Sequence, residues 1–227
     1  MSSCENVKVV LLGEQGVGKT CIINRFISDE FNENTMSSLS AQFISKTIEL
    51  KDIKKFIKFE IWDTAGQEKF HSLAKIFYRD AKVICLVYDI TDRESFENLK
   101  SYWYESELKL NLKKLPILAV VGNKNDLYEN KELEENVAED FAKSIHAIFQ
   151  YTSAKNSSGI EELFDKIGHK YFNPDLNVME DEEKERELYE KKKENKIKNK
   201  YDNSTERSSI KLDNSSKCEV EQKKGCC

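Results

Sequence analysis

The 227-residue chain has no apolar run on the order of eighteen residues, the least that a membrane-spanning helix requires. Its start, MSSCENVKVV, lacks a basic segment followed by an apolar stretch and a cleavage site, so no secretory leader is expected and the chain is expected in the cytosol. A basic excess is missing too. The formal net charge is −5, which speaks against nucleic acid as a partner, because phosphate backbones are bound by surplus Lys and Arg. The six cysteines show no zinc-ligand spacing: Cys21 and Cys85 lie inside apolar stretches, and Cys226 and Cys227 are adjacent at the end. Reduced thiols are expected. No internal repeat is present.

What remains is a chain longer than one usual domain of about 100 to 200 residues and shorter than two. Residues 1–172 hold nearly all the apolar runs, whereas 173–227 are dominated by Glu, Lys, Asn and Ser and cannot build a core. One domain with a tail is expected. Within the tail, Glu180/Lys184, Glu182/Arg186 and Glu187/Lys191 are spaced i,i+4, but such pairs contribute only about 0.2 to 0.5 kcal/mol each, and a solvated linker is the favoured reading.

Strand and helix patterns alternate along residues 1–172. Val7–Leu12 is an apolar run ending at Gly13, and Lys19–Ser28 carries Ile22, Ile23 and Phe26 at helical spacing. Two strand-like segments between Gln42 and Asp63 flank a polar turn at Lys51–Lys54. In the second, Ile57, Phe59 and Ile61 alternate with Lys58 and Glu60, as one-sided burial requires. Val83–Tyr88 and Ile117–Val121 are continuous apolar runs, suited to strands covered on both faces. Thr91 with Glu94 reads as a capping box. A helix from Asn136 leads to a strand at Ile148–Thr152. A last helix aligns Ile160, Leu163, Phe164, Ile167 and Tyr171, and Pro174 ends it. The sum is an α/β fold, a mostly parallel six-stranded sheet with helices on both faces.

Chemistry begins at Gly13-Glu-Gln-Gly-Val-Gly-Lys19-Thr20, the phosphate-loop pattern between a strand and a helix. Backbone N–H groups from Gly13, Gly16, Val17, Gly18 and the helix start through Cys21 can close around a polyphosphate. Lys19 reaches its β and γ groups, and the Thr20 hydroxyl can ligate Mg²⁺. A second element, Trp62-Asp63-Thr64-Ala65-Gly66-Gln67-Glu68, sits at a strand end. Asp63 can hold Mg²⁺ through water, Gly66 can donate its N–H to the γ-phosphate, and Gln67 can orient an attacking water. The third, Asn123-Lys124-Asn125-Asp126, decides the base. A carboxylate at Asp126 accepts from guanine N1–H and its N2 amine, whereas adenine would leave it facing an acceptor. Ser153-Ala154-Lys155 follows the last strand, and the Ala154 N–H can donate to guanine O6. Three such elements in this order, each after a strand, leave little to chance.

With its GEQGVGKT, WDTAGQEKFHSLAKIFYRDA, VYDITDRESF, GNKND and TSAKNSSGIEELF segments, the chain resembles the Ras superfamily over residues 5–172, and within it the Rab family, most like its endocytic branch. The resemblance implies a Ras-like G domain of the P-loop NTPase class and a GTPase switch in vesicle traffic. It implies Phe31 against the guanine base, and Phe43, Trp62 and Phe77 as an aromatic triad that reports nucleotide state to effectors. Switch segments are implied near Asn32–Phe43 and Ala65–Arg79. An exchange factor, an activating protein, effectors, and escort and dissociation-inhibitor proteins are the implied partners of a monomer. The vicinal pair Cys226 and Cys227, which by itself could serve redox or metal chemistry, becomes a double geranylgeranylation site, and two lipid chains suffice for stable anchoring. The implied location is the cytoplasmic face of endosomal membranes, with a cytosolic pool.

Two departures from the family pattern stand out. SLSAQF puts Ser38 where a Mg²⁺-ligating threonine is usual, and Gln15 stands beside the γ-phosphate position, where small residues are common. Both could slow hydrolysis, so a GTP-loaded binding module with impaired turnover is an alternative to the cycling switch, as is another Rab branch. An ATP-using kinase or a membrane adaptor is disfavoured by Asn123–Asp126. His71 is given no chemistry.

Overall fold

The structure, a computed structural model, describes residues 4–33, 42–63, 71–134 and 136–176. Its centre is β1 (Cys4–Leu12), followed by α1 (Lys19–Ser28), β2 (Gln42–Leu50) and β3 (Lys55–Asp63). Then come α2 (His71–Tyr78), β4 (Val83–Asp89) and a long helix, α3. The α3 element opens at Arg93–Asn98, widens into a π-helical stretch at Leu99–Leu108 and closes with the turn Lys109–Asn111. After it follow β5 (Ile117–Asn123), a 3₁₀ turn at Asn125–Asn130, α4 (Val137–Ser144), β6 (Ile148–Tyr151) and α5 (Ile160–Phe172).

The six strands lie in the order β2-β3-β1-β4-β5-β6. All neighbours are parallel except β2 and β3, which the Lys51–Lys54 turn joins as a hairpin. Side chains of β1 alternate between two cores, because successive strand residues point to opposite faces. Val7, Val9 and Leu11 join Ile22, Ile23 and Phe26 of α1 and Leu163, Phe164 and Ile167 of α5. Val10 and Leu12 join Phe96, Leu99 and Trp103 of α3 and Ala138 and Ala142 of α4. The first core is seamed by Phe26 and Phe164, whose rings stack with centroids 3.6 Å apart. The continuous apolar runs are accounted for, since every residue of β4 is buried and β5 is buried from Leu118 onward.

One local reading is corrected. The cap of α3 is Asp92, whose carboxylate accepts from Ser95 N at 3.2 Å. Thr91 instead donates both its N–H and its hydroxyl to Asp89 Oδ1, at 2.9 and 2.8 Å. Asp caps a helix at least as well as Thr, and the Thr91 hydroxyl is already engaged by the strand end. At the end of the last helix, α5 stops at Phe172 with Asn173 outside the helical region, φ −129° and ψ 85°, because Pro174 disfavours helical dihedrals in the residue before it. Tyr171 lies half-buried on the flank of the stripe.

Candidate nucleotide site

Five strand ends meet at one edge of the sheet, the carboxyl edge of its parallel strands, where open α/β sheets bind ligands. The loop after β1 carries Lys19 there, β3 ends in Asp63, β4 in Asp89 and β5 in Asn123, and Thr152 to Lys155 follow β6.

The phosphate loop is shaped by close approaches. Gly13 has φ +148°, and a Cβ there would lie 2.1 Å from the Val87 carbonyl oxygen. Gly18 has φ +94°, and a Cβ there would lie 2.3 Å from Asn123 Nδ2. Only glycine is compatible with both the dihedral and the space. The Lys19 side chain runs back beneath the loop, and its ammonium donates to the carbonyls of Gly13 at 2.7 Å and Glu14 at 2.8 Å. Lys19 is 5 % exposed. Burial lowers its pKa from 10.5 to about 8, partly offset by the negative charges of Asp63 and Glu14. Such an ammonium is held by protein dipoles in a fixed place, short of a full counter-charge. Outside the loop, Trp103 of α3 donates Nε1–H to Glu14 Oε1 at 3.2 Å, which ties the loop to the second core.

Thr20 Oγ1 donates to Asp63 Oδ2 at 2.7 Å, and Asp63 is 1 % exposed. A hydroxyl and a carboxylate at hydrogen-bond distance are hard oxygen donors of the kind Mg²⁺ takes. Among the described residues no group of three or more His, Cys, Asp or Glu side chains gathers. Thr20 and Asp63 together supply part of a shell, which fits an ion that completes its coordination with phosphate oxygens and water.

On the base side, Asp126 Oδ1 accepts from the Ser153 hydroxyl, and Asn125 N–H donates to Thr152 O at 3.0 Å. Lys124 adopts left-handed dihedrals, φ 65°, and pairs with Asp89. Ala154 is buried in the first core, and Lys155 makes an exposed ion pair with Glu33 at 2.7 Å. Asn123 spans both halves: its Nδ2 donates to Val17 O at 2.8 Å, while its Oδ1 accepts from Thr152 Oγ1 at 3.1 Å.

Most of the residues singled out from sequence are thus gathered at one edge, and Phe31 packs half-buried against the first core near the end of α1. Phe43, Trp62 and Phe77 form a contiguous row, with centroids 5.3 Å apart for the first pair and 6.2 Å for the second. Phe43 is 53 % exposed. Ser38, Gly66, Gln67, Cys226 and Cys227 lie outside the described residues, as do residues 34–41 of the first switch segment, 65–70 of the second and the stretch 179–200. Sequence reasoning missed Asp89, Thr152 and Glu14. Asp89 was readable as an acid ending a buried strand, whereas the other two carried no signal.

Comparison with known proteins decides the family, for the Ras family matches residues 8–173. The chain belongs to it. Ras-related protein Rab-22A of Homo sapiens is 44% identical over 172 residues, 76% of this chain and 87% of that protein. Rab-31 of Mus musculus is 44% identical over 167 residues, 74% and 84% of the two chains. Rab-21 of Bos taurus is 45% identical over 157 residues, 69% of each. This Ras-family chain is a Rab small GTPase of the endocytic branch: it hydrolyses GTP and regulates membrane traffic.

Proposed function

We propose that residues 1–172 form the switch domain and that each gathered residue has a separate task in holding and cleaving GTP. The N–H groups of the Gly13–Cys21 loop and the Lys19 ammonium bind the β and γ phosphates. Asp126 reads guanine N1–H and the N2 amine, with the Ser153 hydroxyl fixing the carboxylate, and the Ala154 N–H reads O6. Phe31 covers a face of the base. Thr20, Asp63 and Ser38 hold Mg²⁺, which when bound neutralises charge on the β and γ phosphates. Gly66 donates to the γ-phosphate, and Gln67 orients the water that displaces GDP from it. Phe43, Trp62 and Phe77 pass the state of the two switch segments to effectors.

Residues 173–227 are the tether. Geranylgeranyl chains on Cys226 and Cys227 hold the protein on the cytoplasmic face of endosomal membranes, and escort and dissociation-inhibitor proteins carry it through the cytosol. An exchange factor and an activating protein set the balance of the two states. The near-neutral tail offers only Lys223 and Lys224 beside the lipid, at about 1 kcal/mol each on an anionic leaflet, so the lipid chains supply the attachment.

The observation that supports this reading most directly is Asn123. One amide joins the loop shaped for phosphates to the loop shaped for guanine, so the two recognise parts of one ligand. Single-turnover hydrolysis tests the catalytic assignment. Gln67→Leu keeps the volume and removes the polar group, so the rate falls while GTP affinity holds. Gln15→Gly leaves the rate unchanged or raises it. Wild-type hydrolysis in Gln67→Leu would remove Gln67 from its role.

A further inference from the structure

Arg25 stands on α1, outside every motif that marks the nucleotide site, and only 14% of its side chain is exposed. Its guanidinium uses four of its five N–H donors. Nε donates to Ala154 O at 2.8 Å and Nη2 to Lys155 O at 3.0 Å. Nη1 donates to Asp29 O at 2.7 Å and to Asp29 Oδ1 at 2.8 Å. The same group lies 6.0 Å from the centroid of the Phe31 ring. One planar fork thus spans the end of α1 and two consecutive carbonyls of the base loop, 129 and 130 residues away in sequence.

We propose that Arg25 is a positioning residue for guanine recognition, fixing the base loop so that the Ala154 N–H is held toward the O6 of the base. The peptide unit bearing that N–H lies between two anchors. On its amino side, Ser153 donates its N–H to Ser158 O at 2.9 Å and its hydroxyl to Asp126. On its carboxyl side, Ala154 O is held by Arg25. With both flanks fixed, the peptide cannot rotate its N–H away without breaking a charge-assisted hydrogen bond, which is about twice as strong as a neutral one. Lysine cannot substitute, since a point-like ammonium lacks the rigid fork that reaches two carbonyls and the α1 terminus together. Asp126, by contrast, is held by Ser153 and does not depend on Arg25. The inference rests on the O6 reading given above for Ala154.

Three diphosphates separate the contacts. GDP carries every guanine group, 6-thio-GDP keeps N1–H and the N2 amine but replaces O6 with a poorer acceptor, and IDP keeps O6 but lacks the amine read by Asp126. Affinities are measured for wild type, Arg25→Lys and Arg25→Gln, with thermal melts to establish that each variant is folded. The expected result is GDP binding about tenfold weaker in both variants, the worth of roughly one hydrogen bond. The preference for GDP over 6-thio-GDP collapses while the preference for GDP over IDP stays at its wild-type value. If both preferences survive in the variants, or fall together, Arg25 does not position the O6 donor and the proposal is overturned. If wild type itself does not distinguish GDP from 6-thio-GDP, the O6 reading fails first and the proposal falls with it.

Discussion

Raising the pH from about 7 to about 8.5 will weaken nucleotide binding while strengthening the fold, and one buried ammonium drives both changes. Burial brings Lys19 from 10.5 down to about 8, so it is about nine-tenths charged at the lower pH and about one-quarter charged at the higher. A polyphosphate beside it favours the cation, so the uncharged fraction must take up a proton on binding. Uptake through Lys19 should rise from about 0.1 to about 0.75 proton per nucleotide, and affinity should fall about fourfold, or roughly 0.8 kcal/mol. Stability runs the other way. An unfolded lysine keeps its proton to its ordinary pKa and the buried one gives it up near 8, so the unfolded state binds more protons in this window. The native state without nucleotide therefore gains roughly 0.8 kcal/mol over the same interval. Above about 9 the gain is opposed by Cys85, which burial raises from 9.0 to about 12, so that the folded state is the one that keeps its proton there. Calorimetry in two buffers of different ionisation enthalpy measures the uptake, and Lys19→Met removes it. Uptake that is the same at both pH values, or that persists in Lys19→Met, would refute the assignment.

Gly18→Ala should destabilise the domain by about 2 kcal/mol, because it strains a left-handed residue and pushes a methyl into Asn123 Nδ2; denaturant unfolding measures the loss. Asp126→Asn should weaken GTP binding about a hundredfold through two lost charge-assisted hydrogen bonds and turn preference toward xanthosine triphosphate, as competition binding will reveal. Cys226→Ser with Cys227→Ser should move the protein from the membrane fraction to the cytosol with GTP affinity intact, since no other feature of the tail supplies comparable attachment.

The strands, the helices and their layering on both faces of the sheet were legible because period-two and period-3.6 patterns survive in β3, α1 and α5, where one face is buried and the other wet, whereas the strand order came only from the structure. The phosphate-loop and base-loop motifs were legible because the first needs glycines at fixed spacing and the second a carboxylate matched to the two donors of guanine. Less visible were contacts between side chains far apart in sequence: Trp103 with Glu14, Arg25 with Ala154 and Lys155, Lys124 with Asp89. No local pattern encodes them, since each depends on where the sheet brings two loops. The α3 cap was misplaced for a local reason, because Thr91 and Asp92 both suit the position and only the contact with Asp89 breaks the tie. The π-helical stretch in α3 had no sequence signature at all, since its wider hydrogen-bonding pattern, seen where Lys109 N–H reaches Tyr104 O, draws on the same residue types as an α-helix.

The contact between Gly18 and Asn123 also limits how such a site can change over generations. The amide that bonds Val17 O occupies the space that any side chain at Gly18 would need, so neither position can be altered alone without losing the bond or creating a clash. A shorter residue at position 123 would make room for a methyl at 18 but would leave the Val17 carbonyl and the Thr152 hydroxyl without their shared partner. Substitutions that retune base preference are therefore open at Asp126, one turn further on, and closed at Asn123. The chain can drift toward a different base, but not toward a different junction between base and phosphate.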